Sequence, residues 1–343
     1  MTLYWLHVHT RIPLTFVHRA ELSHLWDENR LPPLLLASMC AHAAPFASHP
    51  AVRQLSHTDP KGVANAFARW GKKLVARATD EEPTLHHITA LLLLGKHAGA
   101  VGEASTQWTY SGLAIRMAFF LHLDKDPVTL PNLTAIERDH RRRLWWSCFI
   151  VDRGYATHAN RPLMIPQSHG PARMPYPGPE TLWLSNDERG LTDWEQKGFL
   201  PDPLSPFVQI ARLFFILGEV YKWQEEQKLN TERPRDVKLT DPVLEDFNTS
   251  LDSYVSSLPR CFRVEVHNFP PEITKNLSPV TAAFVALQHS TARVLLHRPS
   301  AMLSFPNPSP HLTNVIKGVT DAGRALEWLR KVTKSTDMRD PDP

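Results

Sequence analysis

Cysteine is almost missing from this chain: 343 residues carry only Cys40, Cys148 and Cys261, far apart and odd in number. A disulfide framework and a cysteine-rich zinc site are thereby excluded, and two of the three lie in helical apolar patterns as small core residues. Long apolar runs are missing too. The opening MTLYWLHVHTRIPL lacks the unbroken apolar core of a secretory signal, and the densest cluster, Ile88 to Leu94, is too short to span a bilayer. An intracellular, reducing location with no membrane contact is the expectation. Charge of one sign is also scarce. A formal net charge of +3 gives no basis for a polyanion-binding surface.

The constellations that carry catalysis are absent as well. There is no H-E-x-x-H; His86 and His87 are adjacent and face different ways on a helix, while His7 and His9 have no carboxylate beside them. No phosphate-binding G-x-x-x-x-G-K-[ST] or G-x-G-x-x-G occurs, and Gly95, Gly99 and Gly102 close a helix rather than open one. Nucleophile elbows, S-x-x-K and clustered magnesium-binding aspartates are missing. The residues support neither an enzyme nor a metal or other cofactor held by this chain.

What the chain does have is 30 prolines, 18 histidines and a succession of helix-period patterns. Strand alternation is scarce and no fixed repeat occurs, so the fold class is all-α. The patterns predict helices over Leu34–Phe46, Gly62–Ala78, Thr84–His97, Tyr110–His122, Thr134–His158, Phe207–Gln227, Val243–Leu258, Pro279–Leu296 and Leu312–Val332. The Thr84 helix, apolar nearly all round, is expected at the centre. Arg116 falls within the apolar pattern of the Tyr110 helix. Pro299 is expected to stop the Pro279 helix, and Ile316, Val319, Leu326 and Leu329 to form the packing face of the last one. Between Pro162 and Pro206, nine prolines break up every apolar period. That predicts a long, adaptable surface connection between an N-terminal helical half, residues 1–161, and a C-terminal one, residues 207–343, expected to be cut short after its charged MRDPDP tail.

The stretch that organises the chain is TAIERDHRRRLWWSCFIVDRGYATH, Thr134 to His158. Thr134 and Glu137 form an S/T-x-x-E capping box that places a helix start at Ala135. Leu144, Cys148, Val151 and Tyr155 recur on one helical face, with Trp145, Phe149 and Asp152 beside them. Arginines next to tryptophans can grip phosphates and stack bases. Here the apolar stripe demands burial, so at least one tryptophan turns inward while Arg141, Arg142 and Arg143 line the rim. Asp152, too far from those arginines to pair along the helix, is expected to pin it through Arg161 just beyond its end or through Arg116 on the Tyr110 helix.

These residues resemble a known family. Arg116 within GLAIRMAFFLH, Glu137, Arg141-Arg142-Arg143-Leu144-Trp145-Trp146, Asp152-Arg153 and Arg161-Pro162 are similar to the signature of the fungal-specific transcription factor domain, the regulatory middle region of zinc-cluster transcription factors. The segments at Tyr4, Leu34 and Ala286, the last containing LLHRPSAM, resemble further parts of it. The family usually has Gly before the Arg-Pro pair, where this chain has Asn160, a residue that tolerates left-handed backbone better than most. The resemblance implies a nuclear, non-enzymatic regulator of RNA polymerase II transcription. It implies DNA contact and zinc through an N-terminal six-cysteine cluster outside these residues. Co-regulators, a second copy of the chain and a small-molecule effector are the further partners it suggests. A stand-alone protein-interaction module without DNA binding is the alternative, and an all-α enzyme is a remote one.

Overall fold

The computed structural model describes residues 1–9, 14–47, 49, 52, 62–230, 242–264, 279–304, 307 and 309–337; the MRDPDP tail lies outside them. Among the described residues there is no strand. Twelve α-helices are described: α1 (Arg19–Asp27), α2 (Pro33–Ala43), α3 (Gly62–Ala78), α4 (Leu85–Ala100), α5 (Ala104–Phe120), α6 (Ala135–Ala159), α7 (Glu180–Leu184), α8 (Glu188–Gln196), α9 (Pro206–Asn230), α10 (Pro242–Ser257), α11 (Pro279–Ser304) and α12 (Pro310–Asp337). No helix is long and apolar enough to cross a membrane among the residues described. The chain forms two compact units: Met1–Tyr155 with Arg161–Phe207, and Ala156–Asn160 with Val208–Pro343.

In the first unit α2 packs on α3 and α4, and α4 on α5. The sequence LHHITALLLLGKHAGA buries α4 continuously from His87 to Gly95, the central position its unbroken apolar surface requires. Thr84 caps it, its hydroxyl accepting from the His87 amide at 3.2 Å. Gly71 of α3 lets the two helices meet, since a Cβ there would lie 3.0 Å from Leu94 Cδ2. On α5 the buried face is made of the small and compact residues Ser111, Ala114, Ile115, Met117 and Ala118. Arg116 does not join it: its side chain is exposed.

The Pro162–Pro206 stretch is not the loose surface connection that its prolines suggest. It holds α7 and α8 and buries Ile165, Met174, Trp183, Leu191 and Trp194 in the first unit. Prolines prevent long helices here but leave room for spaced apolar anchors between them.

In the second unit α11 and α12 run against each other, with α10 packed on α11. Pro299 does not stop α11, which continues through it to Ser304. A proline inside a helix removes the N–H that would bond the carbonyl four residues back. Here that carbonyl, Leu295, accepts from the side-chain amide of Gln224 on α9 instead. The orphaned acceptor is thus satisfied from a neighbour, and the helix survives. The last helix also differs from the sequence reading. Among its described side chains and glycines the buried residues are His311, Gly318, Ala325 and Trp328, whereas Ile316, Val319 and Leu326 are exposed by 57%, 60% and 53%. Gly318 lets α12 approach α11 closely, since a Cβ there would lie 2.8 Å from Val294 Cγ2.

Candidate functional site

The Thr134 helix starts where its capping box places it. The Glu137 amide donates to the Thr134 hydroxyl at 3.1 Å and the Thr134 amide to Glu137 Oε2 at 2.8 Å. A second carboxylate completes the cap. Glu188, at the start of α8, accepts from the amides of Ala135 at 2.5 Å and Ile136 at 3.1 Å, so the positive end of the helix carries two negative side chains.

From Arg142 to Ile150 every residue of α6 is buried. Both tryptophans therefore turn inward, and so do two of the three arginines: Arg142, Arg143, Trp145 and Trp146 are all 0% exposed. The expected arginine rim is reduced to Arg141, half-buried, whose Nη1 donates to the Leu121 carbonyl at 3.2 Å. A buried guanidinium must have its charge and its donors met. Arg143 meets that demand. Its Nε donates to Asp139 Oδ2 at 2.7 Å, its Nη1 to Thr15 Oγ1 at 2.8 Å and Glu180 Oε2 at 3.1 Å, and its Nη2 to the Gly178 carbonyl at 2.8 Å. Its plane also lies over Trp183, 4.6 Å from the ring centre. Burial disfavours its charge, but Glu180 and Asp139 outweigh burial and raise its pKa.

Arg142 is held by Glu195 at 2.8 Å and Asp126 at 3.4 Å, with the Phe199 ring 4.9 Å away. Glu195 also takes Arg138, through Nε and Nη2. Trp145 Nε1 donates to the His169 carbonyl at 3.2 Å, and Trp146 Nε1 to that of Pro175 at 2.8 Å. Trp146 also stacks on Tyr176. Most of these partners lie between residues 165 and 199, with Thr15, Leu121, Asp126 and Asp139 the exceptions. The proline-rich stretch is a strap fastened along α6 by the arginines and tryptophans of the signature.

Asp152 does pin α6, by a different route from the one expected. It is 3% exposed. Neither Arg161 nor Arg116 binds it: the partners are Arg153 Nη1 at 2.9 Å and the amides of Met164 at 3.0 Å and Ile165 at 3.0 Å. Burial raises its pKa, against the opposing pull of Arg153 and those two amides. Arg153, itself 0% exposed, donates on to the Ile165 carbonyl and Gln167, both at 2.9 Å, with the Phe149 ring against its plane. Arg161 and Pro162 are exposed, and Arg161 lies over Trp108 with its guanidinium 5.3 Å from the ring centre. Asn160 has φ of 51°, the left-handed conformation that glycine adopts most readily and asparagine next.

Sequence reading missed Arg138, Asp139, Gly178, Glu180, Glu188 and Glu195. The Asp139–Arg143 pair has helical i,i+4 spacing and was legible. Arg138 sits on α6 itself, while Gly178, Glu180, Glu188 and Glu195 answer the helix from 35 to 57 residues further along, with no local signal. Among the described residues no group of three or more His, Cys, Asp or Glu side chains is placed to hold a metal ion. Chemically the arrangement is a buried polar network whose charges face one another, with Arg142 Nε and Nη1 and Glu180 Oε1 left without a hydrogen bond among the described residues.

Comparison with known proteins gives this network its context. Residues 1–255 match the profile of the "Fungal specific transcription factor domain". The chain belongs to this family. The fungal-type Zn(2)-C6 transcription factor FTF1a of Fusarium oxysporum f. sp. lycopersici is 34% identical over 163 residues, covering 43% of this chain and 14% of that protein. An uncharacterized transcriptional regulatory protein of Schizosaccharomyces pombe is 32% identical over 151 residues, 41% of this chain and 15% of its own length. The nitrogen assimilation transcription factor nirA of Emericella nidulans is 24% identical over 313 residues, 88% of this chain and 33% of its own. The chain thus spans between about one seventh and one third of the length of these relatives. No solved structure matches. As a fungal transcription factor domain, the chain has Arg142, Arg143, Arg153, Trp145 and Trp146 in the interior of the fold.

Proposed function

We propose that this chain is the regulatory domain of a nuclear fungal transcription factor, without enzymatic activity, that adjusts RNA polymerase II transcription. In this reading zinc and sequence-specific DNA recognition belong to a part of the protein outside residues 1–343. Co-regulators, and in some states a second copy of the chain, meet its surface. The observation that carries the reading is the inward placement of the HRRRLWW residues in a chain matched to this family over residues 1–255. Arg142, Arg143, Trp145 and Trp146 are all fully buried, so the residues that look most suited to nucleic acid have no surface to offer it.

The test has two arms. The chain as given is titrated into a pool of random duplex DNA at moderate salt, and it is also fused to an unrelated DNA-binding domain upstream of a reporter. The expectation is no sequence-selective DNA binding by the chain and a changed reporter output from the fusion. Sequence-selective binding by the chain alone, or a fusion indistinguishable from the DNA-binding domain by itself, overturns the proposal.

A further inference from the structure

The second unit contains a cavity of about 440 Å³ walled by α10, the turn at Arg260–Phe262, α11 and α12. That is within the range of small-molecule sites, roughly 300–1,000 Å³. Its inner wall is apolar, with Val255, Leu258, Phe262 and Val285. Its charged groups are unbalanced: Arg263, Arg293, Lys317 and Arg324 against Asp252 and Asp321.

Both carboxylates are already engaged, Asp252 with Arg293 at 2.5 Å and Asp321 with Arg324 at 3.2 Å. Among the described residues Arg263 is bonded to neutral oxygens, its Nε donating to the Leu258 carbonyl at 3.0 Å and its Nη2 to that of Ser256 at 2.9 Å. This orients the exposed guanidinium without giving it a described carboxylate partner. Lys317 has no partner among the described residues. The Arg293 side chain is 12% exposed, yet its one described bond is to an Asp252 carboxylate that is 65% exposed. A largely buried guanidinium bonded by one nitrogen to a solvated partner keeps donors available on its cavity side. Arg263 and Arg293, oriented by described bonds, together with Lys317 beside an apolar wall, suit an anion with a hydrocarbon body.

We propose that this cavity binds a small organic carboxylate with an apolar body, its carboxylate between Arg293, Lys317 and Arg263 and its body against Phe262 and Val285. The proposal goes beyond the transcriptional reading and stands on the side chains of the second unit alone, so either can fail without the other.

The probe is 4-phenylbutyrate, compared with its neutral counterpart 4-phenylbutan-1-ol and with inorganic phosphate, by titration calorimetry on the 343-residue chain. The acid is expected to bind at least about tenfold more tightly than the alcohol, with phosphate not competing. Lys317→Met, at an exposed position with no described partner to lose, is expected to weaken the acid about threefold to tenfold and leave the alcohol unchanged. Ala286→Phe, which fills the cavity, is expected to abolish binding of both. The proposal is overturned by equal affinity for acid and alcohol, by unaltered acid binding in both variants, or by no binding of the acid up to about 10 mM.

Discussion

Replacing Arg143 by methionine tests the central structural claim, that the signature arginine holds the strap to α6 from inside. Methionine keeps much of the side-chain length and packing over Trp183 but removes every donor. Asp139, 0% exposed, would keep only the Gly178 amide, its 2.6 Å contact, to meet a buried negative charge. Glu180, 15% exposed, would lose its cation as well. Removing one partner of a buried pair costs about 3–5 kcal/mol, because the other charge is stranded. For a unit of about 200 residues that is roughly 6–20 °C in melting temperature.

The assay is urea and thermal unfolding at pH 7 followed by tryptophan fluorescence, since Trp145, Trp146, Trp183 and Trp194 are all buried in the first unit. Two compact units need not unfold together, so the tryptophan transition is compared between variants rather than forced to a single global value. Arg161→Met, at an exposed arginine over Trp108, is the control and should cost no more than about 1 kcal/mol. Arg143→Lys keeps the charge without the planar fork and should fall between the two. If Arg143→Met unfolds within about 1 kcal/mol of the unaltered chain, the arginine is not what fastens the strap and the argument fails.

Three further perturbations probe other parts of the fold. The pKa values of His9, His42, His140, His289 and His297 are each lowered to about 4, burial being the first cause in every case. A depressed folded-state pKa makes stability complete above about 6.5 and progressively lost as pH falls toward 4. Urea midpoints at pH 7, 6 and 5 should therefore descend, and His140→Phe should flatten the descent; midpoints constant to pH 5 would refute the burial assignment. At Gly178 an added Cβ would stand 2.7 Å from Leu191 and 3.2 Å from Asp139 Oδ1. Gly178→Ala should thus cost about 1–3 kcal/mol in the same unfolding assay, and an unchanged midpoint would mean that the strap has slack. Gln224→Ala strands the Leu295 carbonyl beneath Pro299 and should cost about 1–3 kcal/mol. Adding Pro299→Ala restores a backbone N–H to that carbonyl and should recover much of the loss, whereas strictly additive losses would show that the carbonyl is not the reason.

What could be read from the sequence was what a helix encodes locally, and the rest was written across the chain. The capping box at Thr134, the length of α6, the central placement of α4 and the all-helical class follow from patterns within one or two turns. The errors share a cause. Apolar periodicity gave α12 a packing face at Ile316, Val319 and Leu326, yet the buried face is the one with His311, Gly318, Ala325 and Trp328, where glycine permits close approach to α11. Charge suggested a rim for Arg142 and Arg143, yet the carboxylates that let them sink into the interior come from Asp139, one turn back, and from Glu180 and Glu195, far along the chain. Proline density suggested a connection where there is a strap. In each case a residue was assigned by its own preference, while its placement was decided by a partner that could satisfy it. The signature of α6 is informative for that reason. Arginine is costly to bury and tryptophan needs an acceptor for its indole N–H, so a helix with both in its core must bring their partners with it. Asp139, Glu180, Glu195 and the carbonyls of residues 169, 175 and 178 are those partners. The HRRRLWW run therefore specifies the path of the chain from 165 to 199 as firmly as it specifies the helix.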